Sequence, residues 1–108
     1  MTIEQYNNDL ITALCEITGA SAQLARASSK FELLLSTGSK IVVRFNKDIK
    51  IIDRQSHDAY PKVAKLVGLP TDTIKATRLH ILFATDALPE VRVRYDLIPE
   101  SSDGESNE

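Results

Sequence analysis

Thr77-Arg78-Leu79-His80-Ile81-Leu82-Phe83 and, beyond residues 84–90, Val91-Arg92-Val93-Arg94-Tyr95-Asp96-Leu97 are the stretches whose reading decides the fold. Thr77, Leu79, Ile81 and Phe83 alternate with Arg78, His80 and Leu82. Val91, Val93, Tyr95 and Leu97 alternate with Arg92, Arg94 and Asp96. A period of two belongs to a strand with one face buried. The two runs therefore predict an antiparallel hairpin with its apolar side chains inward, and Pro99 ends it.

Working outward, a short helix is predicted from about residue 58 to 67. Asp58 caps it, Pro61 falls in its unpaired first turn, and Gly68 with Pro70 stops it. Before it, Phe31, Leu33 and Leu35 alternate ahead of the turn-forming Ser36-Thr37-Gly38-Ser39, and Ile41, Val43 and Phe45 alternate after it. Asn46-Lys47-Asp48 turns the chain into a third strand at residues 49–53, with Arg44, Lys50 and Arg54 expected to point outward. Residues 20–29 are rich in Ala and Ser and fit either a short helix or a loop. At the start, Thr2 and Gln5 form a capping-box pattern, and Ile3, Tyr6, Leu10, Ala13, Leu14 and Ile17 make one helical stripe that Gly19 ends. The reading is an α+β domain over residues 1–99, in which an antiparallel sheet of about five strands has one face covered by an N-terminal helix and a short second helix. Apolar strand positions suffice for one sheet face and not two, which favours two layers.

The chain has 108 residues and 12.0 kDa, enough to bury roughly two thirds of its unfolded surface without metal or disulfide support. No apolar run approaches the roughly 20 residues of a membrane helix, and Glu4 and Asp9 are unlike a signal peptide. The single cysteine cannot close an internal disulfide, which points to a reducing cytoplasm. Of the 15 acids, Glu100, Asp103, Glu105 and Glu108 lie in residues 100–108, which contain no base. Setting those four aside leaves 13 bases against 11 acids. Residues 100–108 have no large apolar side chain and read as a disordered, solubilising tail, or as an acidic arm that competes for a basic surface.

Leu66-Val67-Gly68-Leu69-Pro70, Arg78-Leu79-His80-Ile81 and Leu88-Pro89-Glu90-Val91-Arg92-Val93-Arg94-Tyr95 resemble a layout found in small proteins of bacteriophages and prophages, where a helix ending near Gly-Leu-Pro leads into a long hairpin. The resemblance covers roughly 30 residues, and its motifs are structural. It implies a mobile-element origin, a bacterial host cytoplasm and an accessory role, and it carries over no catalytic or binding residue.

The candidate site is the polar face of the final hairpin, where the period of two gathers Arg78, His80, Arg92 and Arg94. Like charges opposite one another repel, so they need an anion or a carboxylate, and Glu90 and Asp96 are the internal candidates. The bland alternative is a solvated strand face whose long side chains cover apolar surface. Leu82, Leu88 and Ile52 could form an apolar patch that a partner or second copy covers. Catalytic readings fare worse. Cys15 sits mid-helix with no activating base, the glycines are isolated, and Cys and His together number three, short of a structural metal's four ligands. His57 and Asp58 are neighbours whose side chains are expected to diverge. No catalytic residue, metal or cofactor is therefore assigned.

The expected function is a non-enzymatic protein-binding module of a phage or mobile element, acting on a host or phage protein complex. Inhibition of a host defence complex, in the manner of anti-CRISPR proteins, is one form of it. A nucleic-acid-binding regulator using the same basic face ranks second, because all three Phe fall at core-facing positions and leave no stacking platform. A self-associating virion or assembly component is the third reading. A homodimer is favoured over a monomer, and no membrane is involved.

Overall fold

Helix α1 (Ile3–Thr18) begins where Thr2 Oγ1 accepts the backbone N–H of Gln5 at 3.1 Å and ends where Gly19, at φ 87°, donates its N–H to Cys15 O. The computed structural model describes residues 2–69 and 76–95, and the expectations for Pro99, for Asp96 and for the 100–108 tail lie outside them. The buried side of α1 is Asn7, Ile11, Leu14, Cys15 and Thr18, whereas Ile3 and Tyr6 at the head of the predicted stripe are exposed. The open question at residues 20–29 resolves as a second helix, α2 (Ala22–Ala27), whose N-cap Ser21 accepts from Leu24 N at 3.2 Å. Arg26 of α2 clips it to α1 by donating to Thr12 Oγ1.

The strands are β1 (Lys30–Ser36), β2 (Lys40–Phe45), β3 (Asp48–Gln55), β4 (Ala76–Ala84) and β5 (Glu90–Tyr95), in the order β3-β2-β1-β4-β5 with every pair antiparallel. The fold is α+β, as the patterning predicts. Phe45, Phe31 and Phe83 stand abreast on β2, β1 and β4, with ring centroids 5.5 and 5.8 Å apart. They anchor one continuous core with Leu33, Leu35, Ile41, Val43, Leu79 and Ile81, on the side covered by the helices. Asn46, at φ 56°, fixes the β2–β3 turn to the start of β1, its Oδ1 accepting from Ser29 N, Ser29 Oγ and Lys30 N. Among the described residues no helix is long and apolar enough to cross a membrane.

The third helix, α3 (Ser56–Leu66), departs from expectation at its start. Its N-cap is Gln55, and Asp58 lies in the first turn, where a carboxylate still favours the helix dipole. Ser56 sets that start, because it is buried, donates its N–H to Ser39 O at 2.9 Å, and accepts from Ser36 N at 3.1 Å through its hydroxyl. Pro61 consequently lies past the first turn. The carbonyl left without its usual helical bond belongs to exposed His57, where water can reach it.

Strand β3 also departs from expectation. Lys50 pairs with Val43, so it lies on the helix side at the sheet margin, while Ile49 and Ile51 pair with Arg44 and Val42 on the opposite face. Arg54 does not project freely either. Its Nη1 donates to Ile17 O at 2.9 Å, closing the carboxyl end of α1 beside Gly19. Ile52 packs against the core and takes no part in an exposed patch.

Candidate interaction surface on the open sheet face

Alternation along five strands and helices on one side leave the opposite face of the sheet open, and register says which residues occupy it. One row across the strands is Ile49, Arg44, Glu32, Leu82 and Glu90. The next is Ile51, Val42, Leu34, His80 and Arg92, and a third ends in Arg78 opposite Arg94. The predicted site residues Arg78, His80, Arg92 and Arg94 thus do share one face, as paired neighbours Arg78–Arg94 and His80–Arg92.

The repulsion between those pairs has internal answers, and the main one is a residue that sequence reasoning did not single out. Glu32, on central strand β1, lies between β2 and β4. It accepts from Arg44 Nη1 at 3.3 Å on one side and meets His80 Nε2 at 2.8 Å on the other. Partial burial pushes its carboxyl upward. The hydrogen bonds and charges of His80 and Arg44 together outweigh that and hold it below the ordinary glutamate range. The anticipated carboxylate Glu90 accepts from Arg92 Nε at 2.6 Å on the exposed margin, and that bond and charge lower its pKa. Arg78 is exposed and has no ion-pair partner among the described residues.

The face therefore has two halves. Toward β5 it is basic, with Arg78, Arg92 and Arg94 exposed. Toward β3 it is apolar, with Ile49 60% and Ile51 70% exposed beside half-buried Val42 and Leu34. A shallow hollow of about 680 Å³, open to solvent, lies where the halves meet, lined by Glu32, Leu34, Val42, Arg44, Ile49, Arg78 and His80. A wet sheet face is ordinarily polar. Two isoleucines at this exposure on a margin strand are the departure that needs a cause. Leu82 belongs to the same face and is half-buried, whereas Leu88, at 63% exposure, stands on the β4–β5 loop.

The other candidate chemistry is placed elsewhere. Cys15 is 4% exposed, and burial pushes its thiol up to about 11 despite the nearby charge of Arg26. His57 and Asp58 do not diverge as expected, because the first turn of α3 brings Nε2 and Oδ1 to 3.2 Å on the surface. Asp53 instead pairs with Lys40 at 2.8 Å. Among the described residues no three His, Cys, Asp or Glu side chains converge on one point. Compared with known protein families, characterised proteins and solved structures, the chain shows no significant match.

Proposed function

We propose that this chain is a non-enzymatic protein-binding module that works through the open face of its sheet. The observation that carries this reading is the outward pair Ile49 and Ile51, continuous with Val42 and Leu34 and bordered by the Arg44–Glu32–His80 network. A partner strand or loop with an apolar ridge would cover the isoleucines, and acidic side chains beside that ridge would meet Arg78 and Arg92. Such a division gives affinity from apolar burial, and orientation with on-rate from charge. Phe31, Phe45 and Phe83 are all buried, so the face lacks their rings as platforms for stacked bases, which favours protein over nucleic acid. The phage-like layout of the C-terminal hairpin supports a mobile-element accessory role for the module, with a host or phage complex, including a defence complex, as its partner.

The test compares the wild type with Ile49→Asp/Ile51→Asp and with Arg92→Glu/Arg94→Glu in quantitative co-isolation from bacterial cells, followed by affinity measurement on the recovered partner. Completing the burial of each isoleucine is worth about 1 kcal/mol. The first variant should therefore lose at least about 30-fold in affinity, and the second should lose binding in low salt most strongly. Unchanged recovery by both variants would rule out this face. Titration with duplex and single-stranded DNA at two salt concentrations completes the test. Binding that strengthens steeply as salt falls would replace the protein reading with the nucleic-acid one.

A further inference from the structure

We propose that two copies of this chain pair through their outer β3 edges, antiparallel about Ile49, so that the isoleucines of both form one apolar strip where the two open faces join. Strand β3 closes one margin of the five-stranded sheet, and Asp48, Ile49, Lys50 and Ile51 are all exposed, so no other described element covers the edge there. Phe45 and Asp48 flank a two-residue turn and therefore form the hydrogen-bonded pair that closes it. Alternation from that pair turns the N–H and C=O of Lys50 toward β2, and those of Ile49 and Ile51 toward the free edge. An edge left open in this way is a template for another strand.

Charge decides which strand fits. Asp48 pairs with Phe45 and Lys50 with Val43, so both stand on the helix side of the margin, and neither has an ion-pair partner among the described residues. A lysine in that position guards an edge against arbitrary strands, because pairing would set it against a side chain that does not answer its charge. Strand β3 itself carries the answer. In an antiparallel pair centred on Ile49, each Lys50 faces Asp48 of the other copy, giving two opposite-charge pairs at the closely spaced, non-hydrogen-bonded positions. Centring on Lys50 would oppose lysine to lysine, and centring on Ile51 would oppose Ile49 to Asp53, which already binds Lys40. The helices also allow the Ile49 register. Helix α3 starts at Ser56, roughly 20 Å along the strand from the axis, and the two antiparallel chains carry their α3 helices away from each other.

On the open face Ile49 then meets Ile49 of the second copy, and each Ile51 lies on the diagonal within side-chain reach. This deepens the binding role proposed above, because the surface offered to a partner gains a second pair of isoleucines beside its own. An overlap of about five residues per strand falls below the roughly 1,000 Å² of a tight interface, so the pair is weak alone, and a partner spanning the shared strip would tighten it. The pairing itself is read on the isolated protein, so its failure and the failure of the binding role are separable.

The test is sedimentation equilibrium of the full chain from micromolar to millimolar concentration, with amide hydrogen exchange read at both ends of that range. The mass should rise from 12.0 kDa toward twice that value, and the Ile49 amide should gain protection as it does, while Lys50, already bonded to β2, changes little. Lys50→Ala removes both charge pairs and should weaken association about 5-fold, whereas an edge that Lys50 only guards would associate more tightly without it. Asp48→Lys and Lys50→Asp place like charges opposite one another and should each weaken association at least about 30-fold. An equimolar mixture of those two variants restores both opposite-charge pairs and should form the heterodimer, which also shows that each variant is folded. A mass that stays at 12.0 kDa, a dimer in which Ile49 remains unprotected, tighter association of Lys50→Ala, or a mixture that does not associate overturns the proposal.

Discussion

Replacing Glu32 by Gln removes one charge from the centre of the open face while keeping the shape of the side chain. The glutamate and His80 side chains are 19% and 23% exposed, so the 2.8 Å bond between them is shielded and should contribute about 1–1.5 kcal/mol. Arg44 is 47% exposed at 3.3 Å, and its share is about 0.3–0.5 kcal/mol. Glu32→Gln should therefore destabilise the fold by about 1.5 kcal/mol at pH 7, a fall in Tm of about 6–12 °C. The pH dependence follows from the sign of the shift. The folded carboxyl titrates below its unfolded value of 4.5, so its contribution is complete above that value and disappears as pH falls through the depressed folded one. Urea titrations of both proteins at pH 7, 5, 4 and 3 should give curves that converge on the acid side with an unchanged m-value. A gap that is absent at pH 7, or as large at pH 3 as at pH 7, would refute the account of Glu32 as the charged link between β2 and β4.

Three further outcomes are expected. Phe31→Ala, at the centre of the Phe45–Phe31–Phe83 row and 1% exposed, should cost about 3–5 kcal/mol in chemical denaturation, while Ile51→Ala, at 70% exposure, should stay within about 0.5 kcal/mol. Gly19→Ala should cost about 1–2 kcal/mol, because φ is +87° there and a methyl would stand 3.3 Å from Arg54 Cζ; removing the crowding with Arg54→Ala should not restore stability, since the dihedral strain remains and the bond to Ile17 O is lost as well. Cys15, with its thiol held up to about 11, should react with iodoacetamide at pH 8 more than about 100-fold slower in the folded protein than in urea, and an equal rate would contradict its burial.

Much of the architecture is written in local pattern. Thr2, Gly19 and Ser36-Thr37-Gly38-Ser39 announce element ends, and strict alternation in β4 and β5 fixes which side chains turn inward. Strand β3 is different. Ile49, Ile51 and Ile52 occupy both phases of a two-residue period, so the run does not define its own buried side. Pairing with β2, including a register shift between Lys40 and Ile41, decides it and sends Ile49 and Ile51 outward. The start of α3 is likewise set by tertiary bonds of Ser56 to Ser36 and Ser39, which outweigh the capping preference of Asp58. The candidate surface was half legible. Its arginines follow from alternation, but Glu32 meets His80 only because β1 pairs with β4 across 48 residues, and no local signal encodes that neighbour.

That same pairing has a consequence for biosynthesis. Strand β1 sits in the middle of the sheet, yet the ribosome completes β2, β3 and α3 before it delivers β4. At about 5–20 residues per second, Ser36 precedes Ala84 by about 2–10 s, during which a nascent chain holding the first three strands presents the bare flank of Leu33-Leu34-Leu35 to its surroundings. Slow translation through the codons for residues 67–78 would lengthen that interval, and crowded polysomes would be where such chains meet one another.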